Sequence, residues 1–145
     1  MNLAISLAKS AATYDEVPVG AIVVSPDNKI IASAFNRRET DHDPTSHAEL
    51  LVIREASQKL KSWRLVDHTL YVTLEPCLMC AGVIYQSRIK EVVFGAFDPK
   101  NGAMGSLYNI HSDERLNHQV HVVSGVQEQA CSQILKDFFK RKRET

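Results

Sequence analysis

The sequence predicts an α/β domain in which one mixed, five-stranded sheet has helices on both faces. Three observations predict this fold class. The predicted elements follow the order α-β-β-α-β-α-β-β-α along 145 residues, a length typical of one domain spanning residues 1–145. A hairpin in residues 20–36 forces one antiparallel strand pair. A strand-helix-strand segment in residues 69–96 predicts a parallel, right-handed crossover, so we expect the sheet to be mixed.

The first half of the chain places the hairpin between two helices. Apolar residues at helical spacing predict an amphipathic helix in the first dozen residues, and they are Leu3, Leu7 and Ala11. Two strand-like runs, residues 20–25 and 30–36, flank the turn residues Pro26-Asp27-Asn28. After a polar loop, we expect the second helix to run from about residue 46 to about residue 61.

The next segment alternates strands with a helix. A strand in residues 69–73 ends at Glu75-Pro76, and Pro76 suits the first turn of a helix that runs to about residue 87. Residues 91–96 form a short apolar run that is typical of a buried strand. The loop that follows, residues 97–118, is unusually long for a compact domain, which favours a functional loop.

A last strand and a last helix complete the predicted fold. The strand is indicated by Val120, Val122 and Val123. The helix carries an apolar stripe, which consists of Ala130, Ile134 and Phe138. Cys131 lies beside this stripe, and we therefore expect it to be a core residue.

The composition is that of a soluble protein. Apolar residues make up 44% and charged residues 23% of the chain, which are ordinary values for a globular domain. No apolar run approaches the ~18 residues that a membrane helix needs. The opening residues MNLAISLAKSAATYDE lack the basic segment, the continuous apolar run and the cleavage site of a secretory signal. We therefore expect a cytoplasmic protein.

Charge is distributed unevenly, although the formal net charge is zero. The last ten residues, KDFFKRKRET, carry five basic and two acidic side chains. A basic segment on a body of low net charge is typical of a contact with phosphates. The alternative interpretation is a solvated helix end that binds nothing.

Two of the three cysteines have a spacing that suits a metal. Cys77 and Cys80 form a C-x-x-C motif, which in a reducing compartment indicates either a metal site or a redox pair. Being three residues apart in the first turn of a helix, their sulfurs can reach one ion, and the helix dipole there favours thiolates. Zinc binds imidazole nitrogen and thiolate sulfur, and catalytic zinc sites have three protein ligands. With His47 as the third donor, the sequence predicts a catalytic zinc site.

The spacing of His47 and Glu49 sets a condition on this site. Residues i and i+2 of a regular helix point roughly 200° apart, so these two side chains cannot share a site in a helix interior. They can share one where a helix begins, with the ion lying across the helix end. The sequence therefore predicts that His47 opens its helix and that Thr45 or Ser46 is the N-cap.

Each of these features has a structural explanation when it is taken alone. A lone histidine is more often structural than a ligand, a lone C-x-x-C fits a redox pair, and an acid in a first turn stabilises the helix dipole. A closed structural zinc site needs a fourth ligand. The combination of His-x-Glu with Pro-Cys-x-x-Cys about thirty residues later is the signature of zinc nucleoside deaminases, whose glutamate carries protons. The combination favours catalysis, with Glu49 as the proton carrier.

The chain also resembles the family of bacterial tRNA-specific adenosine deaminases along almost its whole length. The resemblance lies in EVPVGAIVV (16–24), FNRRE (35–39), HDPTSHAEL (42–50), LYVTLEPCLMCAGVIYQSRI (70–89) and VVFGAFDPKNGAMGS (92–106). It implies the three-layer α/β/α sandwich of the cytidine deaminase-like fold, one zinc ion per subunit and a homodimer. It also implies that the wobble adenosine of a tRNA anticodon is converted to inosine. Family members often begin several residues earlier, so we expect a shortened first helix.

The resemblance implies roles for individual residues as well. Glu49 is expected to take a proton from water and to deliver it to N1 of adenine and then to the leaving amine. Asn36 is expected to contact the flipped nucleotide. Further substrate contacts are expected from Arg37, Ala48, Asp98 and Lys100. Contacts with tRNA phosphates are expected from Lys140, Arg141, Lys142 and Arg143, which would position the RNA without reading its sequence.

Three other functions use some of the same features. A deaminase of free guanine, cytosine or cytidine needs the same metal motif, but the extended resemblance and the basic segment favour tRNA. A non-catalytic RNA-binding module with a structural zinc accounts for the cysteines but not for Glu49 or the three-donor count. A redox protein would use Cys77 and Cys80 without a metal, and zinc bound through both thiolates would exclude it.

Overall fold

A computed structural model describes residues 1–144, so the last position of the predicted domain 1–145 lies outside the described residues. The predicted order of helices and strands is confirmed. The elements are α1 (Asn2–Thr13), β1 (Gly20–Val24), β2 (Ile30–Phe35), α2 (Ala48–Leu60), β3 (Thr69–Leu74), α3 (Leu78–Ser87), β4 (Glu91–Ala96), β5 (His121–Val123) and α4 (Glu128–Arg143). The long loop between β4 and β5 contains a single 3-10 turn at Ile110–Ser112.

The five strands form one sheet in the order β2-β1-β3-β4-β5. β1 pairs antiparallel with both β2 and β3, whereas β3–β4 and β4–β5 are parallel pairs, so the predicted mixed sheet is confirmed. The crossover through α3 brings the carboxyl ends of β3 and β4 to the same edge of the sheet. Loops that leave this edge are therefore neighbours.

Helices cover both faces of the sheet, as predicted. On one face the main core joins β1, β3 and β4 to α2 and α3, and its fully buried members include Val72, Phe94, Val52 and Ile84. On the other face a smaller cluster joins α1 to α4 through Ile5 and Cys131. The predicted core position of Cys131 is confirmed. The result is a three-layer α/β/α sandwich.

The buried stripe of α1 differs from the predicted one. Leu3 is 40% exposed and Leu7 is only partly buried, while the residues that face the sheet are Ala4, Ile5, Ala8 and Ala11. The reason is a close approach at Gly20, where an added Cβ would lie 2.1 Å from the carbonyl oxygen of Ala4. So little space remains between helix and strand that mostly small side chains fit, and the leucines lie at the rim.

The stripe of α4 and the start of β5 also differ from the predictions. Ala130 is exposed, whereas Cys131 and Phe138 are buried, because the sulfur of Cys131 packs directly against β4 at Gly95. β5 begins at His121, one residue after the predicted start, since Val120 donates its N–H to the carbonyl of His111 instead of joining the ladder.

Among residues 1–144, no helix is both long enough and apolar enough to cross a bilayer.

Candidate active site

The start of α2 places His47 and Glu49 at one helix end. His47 is the N-cap, with extended backbone angles (φ −79°, ψ 151°), and Glu49 lies in the first turn. The predicted condition that both residues occupy a helix start is confirmed. The predicted N-cap is wrong, because the hydroxyls of Thr45 and Ser46 bond to aspartates of the preceding loop at 2.7 and 3.0 Å and so stabilise that loop rather than the helix.

The start of α3 presents the two cysteines in the same way. Cys77 is the N-cap, again with an extended backbone (φ −75°, ψ 176°), and Cys80 lies in the first turn. Pro76 precedes the cap, so its predicted place inside the first turn is wrong. Two helix N-termini therefore converge on one point, and both of their dipoles favour thiolate there.

The three predicted metal donors lie together. Nδ1 of His47 is 3.6 Å from Sγ of Cys77 and 3.6 Å from Sγ of Cys80. The donor atoms all lie within 4.8 Å of one another. Bonds of about 2.0–2.3 Å at tetrahedral angles would separate nitrogen from sulfur by roughly 3.5 Å, so the donor set fits a zinc ion in both chemistry and spacing.

The ionisable groups of the cluster influence one another. A hydrogen bond from the Cys80 thiol lowers the pKa of Cys77 to about 4, although burial opposes this shift. The same bond, together with burial, raises the pKa of Cys80. A hydrogen bond with Cys77 raises the pKa of His47. One thiolate thus forms readily, whereas the second deprotonates only if a cation replaces its proton.

Glu49 is a buried acid beside the donors. Its side chain is 5% exposed. Burial raises the pKa of Glu49 to about 7, and the negative charge of Cys77 adds to this effect. A carboxyl group with a pKa near neutrality can both accept and donate a proton at physiological pH. Its position and its pKa suit a general acid-base.

A cavity of about 850 Å³ is lined by two of the donors, His47 and Cys77, and by Glu49, while Cys80 is buried behind them. Four of the five predicted substrate contacts line it, namely Asn36, Ala48, Asp98 and Lys100. Arg37 does not line it, because its guanidinium lies 3.1 Å from the carboxylate of Asp41. The neighbouring Arg38 lines the cavity instead.

Asn36 uses half of its hydrogen-bonding capacity within the protein. Its amide nitrogen donates to the carbonyl of Val17 at 3.1 Å, and its oxygen accepts from the N–H of Arg38 at 3.2 Å. One N–H and one lone pair remain for a ligand. These two bonds also hold the end of β2 in place, which agrees with a structural role, and the contact of Asn36 with a nucleotide stays a prediction.

The basic residues of α4 lie outside the cavity lining. Two apolar residues of the same helix, Leu135 and Phe139, reach the cavity. Nζ of Lys142 lies 2.5 Å from the carboxylate of Asp15. The Lys142 side chain also lines a second cavity, which has a volume of about 800 Å³. The predicted contacts of Lys140, Arg141, Lys142 and Arg143 with phosphates stay predictions.

Sequence reasoning missed two buried glutamates, Glu16 and Glu75, and the apolar part of the cavity wall. Glu16 accepts hydrogen bonds from the N–H groups of Glu39 and Thr40 and from the hydroxyl of Thr40. Glu75 follows the apolar strand β3 directly. The available signal for Glu75 was an acid at the end of an apolar strand. The groups that bond to it lie 23–31 residues farther along the chain, and nothing in the sequence marks them as its partners.

Comparisons with known proteins agree with this geometry. A family model described as MafB19-like deaminase matches residues 1–143. The tRNA-specific adenosine deaminase of Bacillus subtilis (strain 168) is 53% identical over 143 residues, which cover 99% of this chain and 88% of that protein. Its counterpart in Haemophilus influenzae is 46% identical over 144 residues, with coverage of 99% and 83%. A solved structure from a study of A-to-I editing by tRNA:A34 deaminases superposes with a TM-score of 0.89 at 44% identity, covering 93% of this chain and 97% of that one.

Proposed function

The chain belongs to the family of tRNA-specific adenosine deaminases, within the MafB19-like deaminases, and from this premise we propose that it hydrolyses adenosine to inosine at the wobble position of a tRNA anticodon. One observation carries the proposal: a cluster of three metal donors lies beside a cavity of about 850 Å³, and two of these donors and a buried acid line the cavity wall. A cavity of this size accommodates a nucleotide.

We propose zinc as the metal, held by His47, Cys77 and Cys80. One imidazole and two thiolates favour zinc over harder ions such as magnesium or calcium. Three protein donors leave a fourth position open, as in catalytic rather than structural sites. A zinc ion bound there supplies a nucleophile at neutral pH, because it lowers the pKa of water from 15.7 to about 7.

Glu49 moves the protons in this proposal. Its carboxylate accepts the proton of the attacking water and passes it to N1 of adenine as the new C6–O bond forms. It then takes the remaining proton from the new C6 hydroxyl and gives it to the C6 amine, so that ammonia leaves as the C6–N bond breaks and the C6=O group of inosine forms. Burial of Glu49 keeps bulk water away from the carboxyl group, so that the proton stays on this path.

The proposed substrate contacts surround this centre. Asn36 has a free donor and a free acceptor for the flipped nucleotide, and Ala48, Asp98 and Lys100 line the same cavity. Arg37 remains a proposed contact, although it lies outside the cavity lining. Bases of a single-stranded anticodon loop can be extruded into such a cavity. The apolar wall supplies stacking surfaces from Phe97, Tyr108 and Phe139.

Four further proposals concern the protein as a whole. The residues Lys140, Arg141, Lys142 and Arg143 contact tRNA phosphates. The protein is a homodimer, which is supported by exposed apolar side chains at the cavity rim, Leu78, Leu107 and Tyr108. It acts in the cytoplasm, where its tRNA substrate is found. Residues 1–145 form one domain.

The decisive experiment incubates the purified protein with an anticodon stem-loop RNA that carries adenosine at the wobble position, and inosine is measured. We expect Glu49→Ala to lose activity by at least about 100-fold, since general acid-base catalysis contributes roughly 10²–10⁴-fold. We expect this variant to retain one zinc per chain, because Glu49 is not among the three donors. Glu55→Ala is the matched control, an acid on the same helix whose side chain is 42% exposed and pairs with Lys59, and it should keep full activity.

Each other outcome points to a different function. An active Glu49→Ala variant would contradict the proposed mechanism. Turnover of free guanine, cytosine or cytidine without turnover of RNA would assign the site to a free-base or nucleoside deaminase. RNA binding without any deamination would favour a non-catalytic RNA-binding module.

A further inference from the structure

We infer that Glu75 is a positioning residue: its buried carboxylate sets the substrate-facing loop, residues 97–108, against the segment that carries the metal donor Cys77. The inference rests on the proposed function, because it treats the cavity beside the donors as the substrate pocket. Neither the metal donors nor the proton carrier use Glu75. The Glu75 carboxylate nevertheless makes specific hydrogen bonds with the loop.

Four hydrogen bonds converge on the Glu75 carboxylate. Oε1 accepts the N–H of Asp98 at 3.0 Å and the hydroxyl of Ser106 at 2.5 Å. Oε2 accepts the N–H groups of Met104 and Ser106, both at 3.0 Å. The side chain is 2% exposed. One carboxylate thus fixes both ends of the loop segment 98–106, which has no regular secondary structure of its own.

No cation of residues 1–144 forms an ion pair with Glu75. Its charge is balanced by the N–H and O–H dipoles of the loop, and charge-assisted bonds of this kind are about twice as strong as neutral ones. An amide in place of the carboxylate would keep only part of these bonds, because it has one acceptor oxygen and no charge. The negative charge of Glu75 therefore strengthens hydrogen bonds from the loop and does not form a salt bridge.

The loop is also fastened to the backbone beside Cys77. The N–H of Ala103 donates to the carbonyl of Pro76 at 2.9 Å, and Gly102 forms an isolated antiparallel bridge with Cys77. An added Cβ at Gly102 would lie 2.3 Å from the carboxyl carbon of Glu75. Only glycine leaves room for the carboxylate to approach the loop this closely.

The fastened loop forms one wall of the cavity. Six of its residues face the cavity, and they are Phe97, Asp98, Lys100, Asn101, Leu107 and Tyr108. The metal donors lie on the other side of the same backbone junction. Loss of the Glu75 bonds therefore loosens the wall that holds the substrate, and the free energy of ordering that wall is then taken from substrate binding.

The test uses the zinc-loaded Glu75→Gln variant, which preserves the shape of the side chain but replaces one acceptor oxygen by an NH₂ donor. If the NH₂ group takes the Oε1 position, the bond from the N–H of Asp98 is lost, because the Ser106 hydroxyl can accept from the amide instead. If it takes the Oε2 position, the bonds from the N–H groups of Met104 and Ser106 are lost. We expect amide hydrogen exchange at Asp98 or Met104 to accelerate at least about tenfold. We expect zinc content to remain at one ion per chain.

Steady-state kinetics distinguish positioning from a purely structural role. We expect KM for the stem-loop RNA to rise roughly tenfold or more, because the variant must order the loop when the substrate binds. We expect kcat at saturation to change by less than about threefold, since Glu49 and the donors are intact. A faster-exchanging loop with an unchanged KM would overturn the inference, and so would unchanged exchange or loss of zinc.

Two further variants keep the test decisive. Glu16→Gln makes the same chemical change at a buried carboxylate that bonds to a different loop, so exchange should accelerate at Thr40 but not at Met104. Ser106→Ala removes one of the four bonds and should raise KM in the same direction by a smaller factor. If Glu75→Gln does not fold, an unchanged KM for Ser106→Ala overturns the inference.

Failure of the proposed function would look different. If the unmodified protein forms no inosine, the proposed function is wrong whatever Glu75 does. Hydrogen exchange in Glu75→Gln then decides the inference by itself, because that measurement needs no substrate.

Discussion

Glu16 and Glu49 are both buried, yet the pKa values of their carboxyl groups shift in opposite directions. Burial raises the pKa of Glu49 to about 7. Burial acts in the same direction on Glu16, but hydrogen bonds from Thr40 and Glu39 outweigh it, and the pKa of Glu16 falls below its ordinary value of 4.5. Hydrogen bonds to the charged form therefore place the pKa of Glu16 below the ordinary value, although burial alone would raise it as it does for Glu49.

This difference predicts how stability depends on pH. A carboxyl group whose pKa is lower in the folded state stabilises that state above its unfolded pKa, and it loses the effect as pH falls through the folded pKa. We expect Glu16→Gln to lower the free energy of unfolding by about 2 kcal/mol at pH 7. This difference from the unmodified protein should shrink as pH falls below 4.5, the ordinary pKa of the group.

Urea unfolding at several pH values measures the difference directly. The comparison is between two proteins in the same buffers, so acid effects on the metal site and on Glu75 enter both curves alike. A difference that stays constant down to pH 3 would show that the charge of Glu16 contributes nothing to stability.

At the scale of the elements, the contact between α1 and β1 depends on one missing side chain. An added Cβ at Gly20 would lie 2.1 Å from the backbone oxygen of Ala4 and 2.7 Å from the backbone nitrogen of Ala8. Neither atom can move without shifting the helix. We therefore expect Gly20→Ala to lower the free energy of unfolding by about 2 kcal/mol or more, measured by urea unfolding.

Gly82 provides the matched control for this prediction. It lies inside α3, where an added Cβ meets nothing within 4 Å. Alanine there removes the entropic cost of a helical glycine, so Gly82→Ala should stabilise the protein by about 0.5–1 kcal/mol. Equal destabilisation by the two substitutions would contradict the packing argument.

The elements that the sequence predicted correctly are those that depend on local chemistry. Pro26-Asp27-Asn28 between two apolar runs predicted the hairpin, and the chain from β3 to β4 predicted the parallel crossover. The helix start at His47 followed from the requirement that His47 and Glu49 share a site, and the start near Cys77 followed from Pro76, each to within one or two residues. The buried face of α1 was not predicted correctly, because the close approach at Gly20 is a tertiary contact that no spacing along α1 reveals.

In the candidate site, too, residues restricted by local chemistry were predicted, and residues that depend on tertiary contacts were not. His47, Glu49, Cys77 and Cys80 were predictable because metal chemistry restricts both their residue types and their spacing. Glu75 was not predictable, since the N–H groups that it binds belong to a distant loop and any residue except proline supplies such a group. Sequence therefore predicts the reacting groups better than the residues that support them.

At the scale of the whole molecule, positive charge is concentrated on the last turns of α4. We expect a Lys140→Ala/Arg141→Ala/Arg143→Ala variant to bind the anticodon stem-loop more weakly. The slope of log Kd against log salt concentration should fall by about 2, because each phosphate contact with a single strand contributes roughly 0.7. Lys142 is kept because it pairs with Asp15 and so supports the fold.

A matched variant replaces three basic residues at the far end of α2, Lys59, Lys61 and Arg64. The 13 residues of this helix separate that end from the metal donors by about 20 Å. For this variant the slope of log Kd against log salt concentration should equal that of the unmodified protein. Identical slopes for the unmodified protein, the α4 variant and the α2 variant would exclude α4 as the phosphate-binding segment.

The cavity draws its walls from distant parts of the chain, and this distance sets an order of events during synthesis. All three metal donors precede residue 81, whereas Leu135 and Phe139 of the cavity wall follow Cys80 by 55 and 59 residues. At roughly 5–20 residues per second, the donors leave the ribosome about 3–11 seconds before Leu135. The nascent chain thus presents all three donors before the wall of the cavity is complete.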